Sequence, residues 1–187
     1  MFNKRTADQI VATAADAIRA RPDSFHELLE EIPAAIYVTD AEGTLTYYNR
    51  ACIELAGRTP AVGADKWCVT WKLFTADGAP LPHERCPLAE ALSTRAPVRD
   101  VEAIAERPDG SRIRFVPFPT PLFDHAGNLA GAVNLLLDVT RQQTPADLLD
   151  KAARCRRLAD EIDDREATGA LALMAARYEE QARKLNN

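Results

Sequence analysis

The side chains of this chain with the strongest nucleophilic or metal-binding character are four cysteines, Cys52, Cys68, Cys86 and Cys155, and three histidines, His26, His83 and His125. No two cysteines stand in a C-x-x-C spacing, so neither a zinc site nor a dithiol motif is signalled. His83 and Cys86 lie three residues apart, close enough for a base to meet a thiol. No third residue is in view to orient that imidazole, however, and no oxyanion motif accompanies it. None of the histidines falls in the C-terminal segment, where a phosphate-accepting kinase histidine would stand, and there is no Gly-rich nucleotide box. The expectation is a protein without catalysis of its own, with reduced thiols in a cytoplasmic core.

Binding is the chemistry left to consider. Cys52, Trp67, Trp71, Leu73, Leu88, Phe115 and Leu136 can supply a largely apolar pocket lining, with His83, Cys86 and Asn134 at its polar points. The alternative is that these side chains simply fill a core to the usual packing density. Asn134 distinguishes the two, because an amide on an otherwise apolar strand face needs a partner, whether backbone, water or ligand.

The strand carrying Asn134 is apolar on both faces. Ala132, Asn134 and Leu136 share one side and Val133, Leu135, Leu137 and Val139 the other, since side chains alternate along a strand. A strand of that kind is covered twice. The first face is expected to look onto an inner cavity and the second onto flanking helices. Upstream, Pro117, Pro119 and Pro121 share a parity, so their missing N–H groups lie along one strand edge, where the neighbouring strand runs out or the sheet opens to a ligand or partner.

Helices are expected at both ends. Thr6 with Gln9 reads as a capping box, followed by Ile10, Val11, Ala14, Ala17 and Ile18 at helical spacing up to Arg21-Pro22. Ser24 with Glu27 opens a shorter helix with Phe25, Leu28, Leu29 and Ile32. After Thr140 the composition changes. Thr144-Pro145 starts a helix with Leu148, Ala152, Cys155, Ala159 and Ile162 on one face, and beyond Asp163-Asp164 a second follows with Leu171, Met174, Tyr178, Ala182 and Leu185. The stripe Ile10, Ala14 and Ile18 needs a partner surface, and a second copy of the chain is the expected one, making a homodimer.

The segment from 33 to 140 resembles a PAS sensor domain along its length. Asp40-Ala41-Glu42-Gly43 stands as the first hairpin turn, and Tyr48-Asn49-Arg50-Ala51-Cys52-Ile53-Glu54-Leu55-Ala56-Gly57 as the asparagine-led helix that follows. Cys86-Pro87-Leu88-Ala89-Glu90-Ala91-Leu92 matches the helix over the cavity, Arg107-Pro108-Asp109-Gly110 a later turn, and the stretch from Pro121 to Thr140 the closing hairpin. The resemblance implies an α+β fold with a five-stranded antiparallel sheet and short helices on one face. The organisation is 1–32 as N-terminal helices, 33–141 as the PAS domain and 142–187 as a C-terminal helical hairpin.

It also implies cofactors to be tested. The flavin-binding subclass places an adduct-forming cysteine after a glycine, yet Lys66 stands at that position following Gly63. Phe115 replaces its usual asparagine, and Leu136 its flavin-reading glutamine, so the residues argue against flavin. A haem PAS domain takes an imidazole or thiolate from around the cavity helix, and His83 and Cys86 stand at its entrance although the helix itself has no histidine. The ligand identity stays open.

Composition limits the partners. The 187 residues are 47% hydrophobic and 27% charged, an ordinary globular balance. A net charge of −5 argues against a nucleic-acid binder, and no apolar run approaches the ~20 residues that span a bilayer. The cluster Lys151, Arg154, Arg156 and Arg157 is followed at once by Asp160, Glu161, Asp163 and Asp164, as on a solvated helix face. The expected function is a sensor or adaptor. It binds a small apolar or redox-related ligand and relays a change through its helical flanks to a histidine kinase or regulator. The competing expectation is a ligand-free interaction module.

Overall fold

A computed structural model describes residues 4–20, 25–140, 145–161 and 165–185. In chain order these form α1 (Lys4–Ala20), α2 (Phe25–Glu31), β1 (Ala35–Asp40), β2 (Leu45–Tyr48), α3 (Arg50–Ala56), β3 (Lys72–Thr75) and β4 (Pro80–Leu81). There follow α4 (Pro87–Thr94), β5 (Ala103–Glu106), β6 (Arg112–Phe123), β7 (Leu129–Asp138), α5 (Pro145–Glu161) and α6 (Arg165–Leu185). The fold is α+β, as the sequence implies. The seven strands make one antiparallel sheet in the order β2-β1-β7-β6-β5-β3-β4. Two more strands are present than expected, because the short hairpin β3–β4 adds itself to the free edge of β5.

Turns sit where the Asp-Gly signals place them. The Asp40 carboxylate accepts the N–H groups of Glu42 and Thr44, and Gly43 takes φ +78°. In the β6–β7 turn Asp124 accepts from Ala126 and Asn128. Such side-chain turns fix hairpin register locally.

β7 is covered on both faces. Val133, Leu135 and Leu137 belong to an outer cluster with Ile10, Val11 and Ala14 of α1, Leu148, Ala152 and Cys155 of α5, and Met174 and Tyr178 of α6. Ala132 and Leu136 belong to an inner cluster with Cys52 of α3, Leu88 and Leu92 of α4, Phe115 and Tyr37. The alternation read from the sequence assigns both faces correctly. Val139 does not follow, since the strand ends at Asp138 and this side chain is exposed.

The proline edge has a simple cause. β5 pairs with β6 from Arg112 to Phe115 and then stops, so Pro117, Pro119 and Pro121 lie beyond its end while their strand stays paired with β7 on the other side. The carbonyl of Pro119 accepts instead from Val98 N–H and from the Arg99 guanidinium at 2.8 Å. The missing donors therefore cost no ladder bonds.

Two sequence expectations about helix ends are corrected or fall outside the described residues. α1 begins at Lys4, so Thr6 lies within its first turn rather than ahead of it. Ser24, Thr144, Asp163 and Asp164 lie outside the described residues.

Candidate functional site

Asn134 shows what the inner face is made of. Its Oδ1 accepts the Phe118 N–H at 3.0 Å, and its Nδ2 donates to the Tyr37 hydroxyl at 2.9 Å. Tyr37 is fully buried on β1 and donates in turn to the Trp67 carbonyl at 3.0 Å. The Cys86 thiol is directed at the same carbonyl, 3.7 Å away. A chain of polar groups thus runs from β7, across β1, to the loop before β3 and the start of α4. Backbone and Tyr37 supply the partners that the sequence left open for Asn134, and burying the amide satisfied costs little.

Trp67 holds the middle of that chain in an unusual backbone conformation. Its φ is +69°, sparsely populated for a bulky residue, and its N–H is tied to the Gly43 carbonyl at 2.7 Å. The indole lies over Gly43 so closely that a Cβ there would come within 2.2 Å of the ring. Glycine at 43 therefore serves both the turn and the close approach of Trp67.

Three thiols line the inner face. Cys52, Cys68 and Cys86 are buried there, Cys52 donating to the Ile36 carbonyl at 3.3 Å and Cys68 accepting from the Thr70 hydroxyl at 3.2 Å. Burial pushes Cys86 up to about 12 and Cys52 higher still, so both are thiols at neutral pH and weak nucleophiles. Desolvation likewise raises the Tyr37 hydroxyl well above its ordinary range.

His83 stands at the rim. It lies in a 3-10 turn, half-buried, with Nε2 3.4 Å from the Thr70 hydroxyl. Which of the two donates in that contact is set by the imidazole tautomer. Burial, and then the Arg58 charge, lower its pKa.

The predicted lining is mostly assembled. Cys52, Cys86, Phe115 and Leu136 are buried together with Asn134, and Trp67 packs partly buried at their edge. Trp71 is the exception, 47% exposed with the Lys72 ammonium 4.4 Å above its ring. It precedes the β3 ladder, so the alternation that turns Leu73 inward does not reach it. The expected self-association stripe is also corrected. Ile10 and Ala14 are buried in the chain's own outer cluster, with Ile18 packed against it, so sheet and α6 already cover α1.

Neither implied cofactor fits this arrangement well. Lys66, at the adduct position, is exposed, while Phe115 and Leu136 occupy the inner face with apolar groups. For haem, the His83 imidazole and the Cys86 thiol each already have a protein contact that ligation would break.

One residue that carries this region stands in the sequence only as the asparagine that leads a helix. Asn49 precedes α3 but makes no capping bond with its side chain. Fully buried, it accepts from Ile36 N–H and donates to the carbonyls of Leu29, Ile32 and Ala34, fastening the end of α2 to β1 and α3. Position alone could not show this, since Asn before a helix ordinarily caps it.

A family profile described as the PAS fold matches residues 29–144. Among curated proteins none matches the chain in sequence. The solved LOV protein of Rhodobacter sphaeroides is 13% identical with a TM-score of 0.50, the match covering 99% of this chain and 98% of that one. The PAS domain of the fruit-fly ELK potassium channel is 17% identical (TM-score 0.48, 67% of this chain and 97% of that one). The LOV domain of a blue-light activated histidine kinase from Erythrobacter litoralis is 21% identical (TM-score 0.45, 58% and 98%).

Proposed function

From the premise that this chain belongs to the PAS family of signal-sensing domains, we propose that it senses a small apolar ligand at the inner face and relays the event through its helical flanks. The observation that carries this reading is the double membership of β7. Asn134 ends the inner polar chain, while Val133 and Leu135 on either side of it pack against the outer helices. A shift of Asn134 must move its neighbours, because close-packed interiors transmit displacement. The strained Trp67 carbonyl, shared by Tyr37 and Cys86, is the element best placed to give way when a ligand enters. Raised thiol values favour an apolar ligand over a redox signal.

In this reading the protein is non-catalytic, works in the cytoplasm as a homodimer and signals to a histidine kinase or regulator. Support for self-association moves from α1 to the hairpin, where Leu149 of α5 and Leu173 of α6 are exposed. Among the described residues no helix is long and apolar enough to cross a membrane.

A second reading, a ligand-free interaction module, is favoured by the protein partners that both polar atoms of Asn134 already have. Two measurements separate them. Mass spectrometry of what denaturation releases from freshly purified protein is expected to find a bound apolar molecule, without flavin absorption. Hydrogen exchange of Tyr37→Phe is expected to rise in α1, α5 and α6 as well as around Trp67. Unchanged exchange in the helices would remove the relay.

A further inference from the structure

A concavity lies on the outer side of the sheet, away from the three inner-face thiols. It is a cleft of about 420 Å³ at the end of the outer face, between α1, α2 and the turns after β1 and β6. Its walls are aromatic. Phe25, His26 and Tyr47 form one cluster, with ring centroids 4.2 Å apart for Phe25–His26, 4.5 Å for His26–Tyr47 and 5.7 Å for Phe25–Tyr47. At its rim stand the carboxylates Asp40 and Asp124, and no lysine or arginine is among its described lining residues. Hydrogen bonds from Asn128 hold the Asp124 carboxyl below the usual range, so it is ionised at neutral pH.

On β1 it is Val38 and Asp40 that turn to this face, whereas Thr39 between them stands opposite Ala132 and Leu45 and turns to the inner one. Aromatic faces attract cations through their quadrupoles, and carboxylates at the mouth of a partly desolvated cleft add attraction of the same sign. An anion would find two carboxylates and, among the described lining residues, no lysine or arginine there.

We infer that this outer cleft binds a small organic cation with an apolar body, of the quaternary or aryl-ammonium class. The site does not depend on the inner-face ligand. Its walls do include Ile18 of α1 and Phe25 of α2, so occupancy would bear on the same N-terminal flank.

The test is titration of isotope-labelled full-length protein at pH 8 with benzyltrimethylammonium, its neutral carbon isostere neopentylbenzene, and benzoate. The expected result is saturable shifts at the amides of His26, Tyr47 and Asp124 with the ammonium compound. The neutral isostere should bind at least tenfold more weakly, and benzoate should leave those amides unmoved. His125→Lys alters an exposed turn residue of the cleft and should weaken the ammonium compound at least fivefold while leaving the melting temperature in place. Tyr47→Leu, which removes one aromatic wall, should weaken it further. Equal binding of the neutral isostere, preference for benzoate, or insensitivity to His125→Lys would overturn the inference. Shifts confined to Trp67, Tyr37 and Asn134 would also overturn it, while speaking for the inner-face reading.

Discussion

The outer face of the sheet is buried by mostly aliphatic side chains from α1, α2, α5 and α6, joined by Phe118 of β6 and by Cys155, Met174 and Tyr178. The inner face, under α3 and α4, is smaller in its residues and far more polar. It holds Asn134, Tyr37, Cys52, Cys68 and Cys86, and Asn49 and Thr70 are buried close by. The two faces are held by different forces. An aliphatic layer gains free energy in proportion to area and tolerates small rearrangements, about 25 cal/mol per Å². A buried polar network is stable only when every member is satisfied, and therefore has few alternative arrangements close in energy. One face supplies adhesion for the flanking helices. The other supplies a specific state that a ligand can replace with another specific state.

The sharpest way to break the contrast is to put charge into the aliphatic side. Ile10→Glu with Ile18→Glu places a carboxylate at a site only 6% exposed and another beside it, with the outer cluster around them. Loss of several kcal/mol is expected, with exchange rising through α1 and α6. Calorimetry and hydrogen exchange check it. A stable protein of halved mass in light scattering would instead restore α1 as the contact between copies.

Asn49→Ala attacks the polar side at the point where α2 is fastened. It leaves the Ile36 N–H and the carbonyls of Ile32 and Ala34 short of a partner, while the Leu29 carbonyl keeps the Ile32 N–H. A loss of about 3 kcal/mol is expected, the upper end for buried groups left unsatisfied. Denaturant unfolding gives the number, and a change below about 0.5 kcal/mol would show that water replaces the amide.

Asn134→Leu is milder, because the Tyr37 hydroxyl keeps its bond to the Trp67 carbonyl. About 2 kcal/mol should be lost, since the Phe118 N–H and the Tyr37 oxygen lose their side-chain partner. A variant as stable as the wild type would mean that the amide serves a ligand rather than the fold.

The smallest effect separates the rim from both cores. His83 has its pKa lowered, first by burial and then by Arg58, so the folded protein binds its proton less readily than the unfolded chain. The unfolded chain then holds more protons just below the ordinary histidine value of about 6.5. Stability from this residue is fully present above that pH and declines as pH falls through the window down to the folded value. Melting curves between pH 7.5 and pH 5 (roughly the histidine range) should show a shallow decline that His83→Gln flattens. An unaltered decline in the variant would assign it elsewhere.

Much of this is legible in the sequence alone. Alternation along residues 132–137 depends only on the pleat, so which side chains share a face follows from counting. Asp40 and Asp124 bond to N–H groups two and four residues ahead, so their turns are written in neighbouring positions. Helical stripes in α5 and α6 obey the same local rule, and Leu148, Ala152, Cys155, Leu171, Met174, Tyr178 and Ala182 are all buried. Local geometry determines these because the backbone fixes them within one or two turns of chain.

What covers a stripe, and what satisfies a buried polar group, is another matter. The sequence marks Ile10 and Ala14 as needing a surface, but a second chain and the protein's own sheet bury the same area, and periodicity is blind to the difference. Only the packing of α1 on β6, β7 and α6 decides it. Trp71 and Leu73 have the same parity, and only the end of the β3 ladder turns one outward. Asn134 finds Tyr37 97 residues away because β1 comes to lie against β7 in one register. A shift of that register by one residue would put each partner on the opposite face. Hydrogen bonds act over about 3 Å, so their partners are fixed only once the sheet has closed.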